Sequence, residues 1–203
     1  MKRIVLLSVL ALALPVSAFA NGLVDFSNHG GTISGGSSGL TLTGSELIAV
    51  TGLNGMGLIS GNLGSVTLST GALTSGNMTT DPISTFADGT FVITGNGTNG
   101  VPGGVIFTGT LTDIQWIAIP NASHTQYHYI LEGNLTGTWY NGETVSGAIS
   151  ILTGPTKSGA FNGSINVASG DSFISTVPEP GTLGLMGTGL IGLAGLVRRK
   201  LKA

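Results

Sequence analysis

The chain has 203 residues, no cysteine, 35 glycines and only 8% charged residues. These figures exclude disulfides, thiol catalysis and a sulfur-linked lipid anchor, and without a three-residue glycine period they also exclude a collagen helix. Between residues 21 and 177, eight acids (Asp25, Glu46, Asp81, Asp88, Asp113, Glu132, Glu143, Asp171) face one base, Lys157; that region carries −7, which the whole-chain value of −2 conceals, and it repels nucleic acid.

Residues 1–20 have the layout of a secretory signal peptide. Lys2 and Arg3 precede an uncharged apolar run from Ile4 to Leu14, Pro15 breaks it, and Ala18 and Ala20 supply the small side chains that a signal peptidase accepts. The run is too short to cross roughly 30 Å of hydrocarbon at about 1.5 Å per residue. Cleavage is expected after Ala20, leaving Asn21 as the new N-terminus.

Residues 21–168 read as one exported β-rich domain, long enough to bury a core without covalent staples. Leu40–Thr43, Val66–Ser69, Tyr127–Leu131 and Phe161–Val167 alternate apolar or small with polar residues, the pattern of half-buried strands. Val105–Phe107 and Ile114–Ile119 are more continuously apolar and read as strands covered on both faces. Asn54-Gly55, Asn96-Gly97, Asn99-Gly100 and Asn141-Gly142 mark tight turns, because both residue types tolerate positive φ. Asn162-Gly163 falls inside the cleanest alternating window and reads as a bulge. An all-β antiparallel sandwich is the simplest architecture, with a β-solenoid as the alternative. Residues 169–177 read as a linker.

Little in this domain points to chemistry. Only His29, His124 and His128 could serve a serine nucleophile as base, and no Gly-x-Ser-x-Gly elbow presents one. His124 and His128 have the spacing of a helical metal site, but their surroundings favour a strand, where four residues separate the rings by roughly 13 Å. No metal, cofactor or catalytic residue is therefore assigned, and a secreted hydrolase built on an unmarked carboxylate pair ranks last among the functions considered. Trp116 and Trp139, with three tyrosines nearby, are candidates for stacking on sugar rings, against the simpler reading that they belong to the core.

The C-terminal end has three parts in order. Val177-Pro178-Glu179-Pro180-Gly181 can continue neither helix nor strand. Residues 181–197 contain no charge and, as a helix, reach roughly 25 Å, a short membrane span. Arg198, Arg199, Lys200 and Lys202 follow and would remain cytoplasmic, leaving the bulk of the chain outside. Taken together, residues 178–203 resemble the PEP-CTERM sorting domain, with Pro178, Glu179 and Pro180 on its signature. The resemblance implies a Gram-negative source, recognition and cleavage by a membrane-embedded exosortase, and release to the cell surface or to an exopolysaccharide matrix. The expected role is that of an exported structural protein; a carbohydrate-binding or adhesive module is the alternative.

Overall fold

A computed structural model describes Gly22 to Thr176 apart from Ser158. The expected signal peptide, with Ala18 and Ala20, and the expected membrane span, sorting motif and basic anchor all lie outside the described residues. Among the described residues no helix is long and apolar enough to cross a membrane.

The strand segments are β1 (Leu23–His29), β2 (Thr32–Gly36), β3 (Gly39–Thr51), β4 (Ile59–Ser69), β5 (Leu73–Ser75), β6 (Ile83–Phe86), β7 (Gly89–Asn96), β8 (Gly103–Pro120), β9 (Tyr127–Trp139), β10 (Thr144–Thr153) and β11 (Ser164–Thr176). One 3₁₀ turn, Leu53–Gly55, is the only helical piece among the described residues. Every pairing is antiparallel, and all eleven segments belong to one sheet.

Several segments are one strand interrupted. β1 and β2 both pair with β3 on one side and β11 on the other, and only Gly30 and Gly31, at φ 70° and 80°, separate them. Likewise β6 extends β7 along β8, and β5 extends β4 alongside them. With these joined, the order β8-β7-β4-β3-β1-β11-β10-β9 returns to β8 through the β8–β9 pairing. The sheet is a closed antiparallel ring in which chain neighbours are also spatial neighbours, the pattern of an up-and-down barrel.

The expected antiparallel all-β class is found, as one large antiparallel sheet whose ladders return to their starting strand. Long strands promote closure, since β8 has 18 residues and β3, β9 and β11 have 13 each. Bulges curl them further. Asp113, at φ 52°, is the extra residue where β8 shifts register against β9, and Ile106 is the extra residue against β7.

The second bulge corrects another expectation. Ile106 and Phe107 are consecutive and both buried because the ladder slips between them, while Val105 is half-exposed. Ile114–Ile119 also has one buried face, carrying Ile114 and Trp116, with Gln115 and Ile119 exposed. These strands are covered on one side only. Asn162-Gly163 precedes β11 and forms no bulge within it; Gly163 accepts the Gly35 N–H at 3.0 Å. The linker expected at 169–177 is, up to Thr176, part of β11, paired with β1 and β10.

The inward side chains fill the ring as an eight-stranded interior of this width allows. Phe26, Leu42, Leu47, Phe91, Ile93, Phe107, Leu111, Leu131 and Ile151 are fully buried. Gly109 and Gly137 face each other across β8 and β9 with the Phe107 ring against both. A Cβ at these glycines would stand 2.7 and 2.9 Å from Phe107 Cζ, so this close approach requires glycine on both strands.

Strand polarity sorts the loops between two ends of the ring. Leu23 and Thr176 lie at one end with the connections 52–58, 97–102 and 140–143. The opposite end carries the connections 37–38, 76–82, 121–126 and 154–163.

Candidate functional site

Both tryptophans proposed for sugar stacking point inward. Trp116 is 1% exposed, stacks on Tyr129 with ring centroids 4.7 Å apart and 13° between planes, and meets the Phe161 edge at 5.4 Å. Trp139 is 8% exposed and packs edge-on against Phe26 at 5.7 Å. Neither offers a ring face to a ligand outside the barrel; their strand neighbours Gln115 and Thr138 take the outward positions. Tyr129 is buried, and its hydroxyl accepts the Phe161 N–H at 2.7 Å, which ties the 154–163 connection onto the core. Tyr140 is the exposed tyrosine, and it donates to Asn54 Oδ1 at 2.6 Å across two connections at the terminal end.

The histidines do not converge. His124 sits in the β8–β9 turn at φ 53°, where Asn121 Oδ1 accepts the Thr125 and Gln126 N–H groups. His128 is half-buried on β9, with Nδ1 3.0 Å from the Thr153 carbonyl, so that nitrogen carries the proton. His124 and His128, expected on one strand, are thus divided between a turn and a strand. Among the described residues no three His, Asp or Glu side chains form a group able to hold a metal ion.

Two features of the outer wall were not anticipated from sequence. Asp25 and Asp171 are far apart in the chain, but β1–β11 pairing sets them on neighbouring outward positions, Asp25 opposite Phe173 and Asp171 opposite Ser27. Asp25 Oδ1 is buried without a hydrogen-bond partner. Loss of water, and then the Asp171 charge, raises the Asp25 carboxyl above its ordinary value.

The second is a belt of hydroxyls. Thr41, Ser69, Thr90, Thr110, Thr136, Ser146 and Ser175 are cross-strand partners in succession from β3 to β11. Thr67, Val92, Thr108, Thr138 and Thr144 form a second row beside it. Adjacent strands lie about 4.8 Å apart, so the hydroxyls repeat at that interval, and Ser69 and Thr90 are hydrogen-bonded to each other at 2.9 Å. No charged side chain lies in either row. The signal was available in Thr108-Gly109-Thr110 and Thr136-Gly137-Thr138, but only the register shows that the two triplets are paired.

Residues 176–200 match the family model described as the PEP-CTERM protein-sorting motif. No curated protein matches the chain. The chain therefore carries an exosortase-directed sorting motif immediately after β11, and the motif implies exosortase as a processing partner and an extracellular destination.

Two outcomes follow from the geometry. Trp116→Ala is expected to destabilise the fold by about 3–5 kcal/mol, as for other buried aromatic truncations, and so to lower the midpoint of denaturant unfolding. Because the raised Asp25 group favours its protonated form in the folded state, stability falls as pH rises past the ordinary value of 3.8. Asp25→Asn should therefore melt above the parent protein at pH 7, with the gap closing as pH approaches 3; a gap independent of pH would refute the assignment.

Proposed function

We propose that this chain is exported, anchored briefly at the inner membrane by its C-terminal segment, and processed by an exosortase into a non-catalytic structural protein of the cell surface or extracellular matrix. The sorting-motif match carries this reading. The barrel supports it in two ways: its interior is filled by its own side chains, and its two ends of chain, paired as Leu23 with Ser175, leave from one end of the ring. Trimming at both termini leaves every strand in place. Export is expected to use the N-terminal signal peptide, and the destination after processing is the surface or the surrounding exopolysaccharide.

Mass spectrometry of the protein recovered from culture tests this reading. The expected mature form begins at Asn21 and lacks Arg198, Arg199, Lys200 and Lys202. Glu179→Ala is expected to retain them and to fractionate with membranes. Cytosolic protein keeping both Met1 and Ala203 would refute the proposal.

A carbohydrate-binding or adhesive role is the second reading, and the hydroxyl belt favours it. An uncharged surface of regularly spaced donors and acceptors suits a neutral polyhydroxylated chain, which the −7 region does not repel. On this reading Thr110→Val with Thr136→Val should reduce co-sedimentation with the organism's neutral polysaccharide by about tenfold, the loss of one to two polar contacts, while thermal unfolding changes little because valine keeps the branched shape on the pleat. Unchanged co-sedimentation would leave the structural reading alone.

A further inference from the structure

The connection 154–163, between β10 and β11, is fastened along its length. Gly154 N–H donates to the Asn166 carbonyl at 2.8 Å, Thr156 N–H to the Tyr127 carbonyl at 2.8 Å, Gly159 N–H to the Thr125 carbonyl at 2.8 Å and Phe161 N–H to the Tyr129 hydroxyl at 2.7 Å. Thr156 Oγ1 donates in turn to the Gly159 carbonyl at 2.6 Å. A connection held at such short intervals keeps its shape, so the cleft of about 310 Å³ that it forms with the first residues of β11 is preorganised.

Polar residues themselves line this cleft. Lys157 and Asn162 come from the connection, and Ser164 and Asn166 from outward positions on β11, on either side of buried Ile165. Pro155 and Ala160 add apolar surface. Lys157 is the one base between residues 21 and 177, and none of the eight acids of that region lines the cleft. Charges farther than roughly 8 Å are largely screened at physiological salt. What an anion meets in the cleft is therefore set by the lining groups, the Lys157 ammonium among them, more than by the negative charge of the region.

A single ammonium on a flexible stem is a point charge suited to one anionic group, and neighbouring amides and hydroxyls suit a ligand rich in hydroxyls. Ligand sites run from about 300 to 1,000 Å³, and this cleft, at the small end, matches one sugar ring. We propose that it binds a monosaccharide carrying one carboxylate, a hexuronic acid. The carboxylate pairs with Lys157, the ring hydroxyls bond to Asn162 and Ser164, and the C–H face of the ring rests on Pro155 and Ala160. No residue of the hydroxyl belt lines the cleft, so the site stands apart from both readings above.

Sodium glucuronate, glucose and sodium acetate test the proposal. They are titrated at constant ionic strength into isotope-labelled 21–177 protein, whose ring Leu23–Thr176 closes on itself and contains the whole described core, with amide chemical shifts as the readout. Shifts at Asn162, Ser164 and Asn166 should saturate with glucuronate at about one tenth of the concentration that glucose or acetate needs, the equivalent of one charge-assisted hydrogen bond. Lys157→Gln, at an exposed position, should reduce the preference over glucose to about twofold or less. Asn162→Asp keeps the side-chain shape, adds a negative charge, and should also remove that preference while leaving the thermal midpoint in place. Methyl glucuronide, capped at its anomeric oxygen as in a chain, supports the site in either case: affinity equal to glucuronate assigns it to a polysaccharide residue, weaker affinity to the free acid. Equal affinity of the parent protein for glucuronate and glucose, or for glucuronate and acetate, overturns the proposal. Absence of saturable shifts, or a preference that survives Lys157→Gln, also overturns it.

Discussion

The pairing of β1 with β11 holds the remainder of the fold together. It joins the first described strand to the last, Leu23 opposite Ser175 and Asn28 opposite Gly170, and converts an open sheet into a ring. An open sheet would leave two rows of unpaired backbone groups and an interior face exposed along its length. Closure removes both and encloses Phe26, Leu47, Ile151 and Ile174 from all sides. The pairing also depends on small details. Gly170 admits Asn28 beneath it, since a Cβ there would come 2.5 Å from Asn28 Oδ1. Asn28 in turn donates to Ser45 Oγ at 2.7 Å, fastening β1 to β3 inside the core.

Much of this was readable from the residues. Alternation located β3, β4, β9 and β11 in part, and Asn54-Gly55, Asn99-Gly100 and Asn141-Gly142 are connections in the structure. The ring was not readable, because closure depends on register between strands more than a hundred residues apart and on bulges such as Asp113 that no local pattern announces. Ser169-Gly170-Asp171-Ser172 resembles a loop, and it forms a strand because β1 and β10 supply partners on both sides. The tryptophans lie in the core, the simpler of the two readings that residue type allowed. Parity would have placed them: Ile114 and Trp116 bracket Gln115, just as Leu135 and Trp139 share their strand with outward Thr136 and Thr138.

The outer wall divides into two chemistries. On β1, β3 and β11, Asp25, Glu46 and Asp171 lie near half-exposed Ile48 and Phe173. From β4 through β10 the paired rows carry hydroxyls and a single valine. Threonine suits such a wall twice over, since its branched carbon fits the pleat and its oxygen replaces charge as the source of solubility. In a region with one base, this keeps a large surface free of the self-repulsion that more acids would bring.

Val177 alone separates the end of β11 from Pro178. At roughly 3.5 Å per residue, this spacer is far shorter than the width of a folded domain. A protease that cuts at such a place must either accommodate a bulky neighbour at the lip of its cleft or act before the final ladder has zipped. On the proposed processing, the cut and the β11 ladder then draw on the same few residues of backbone.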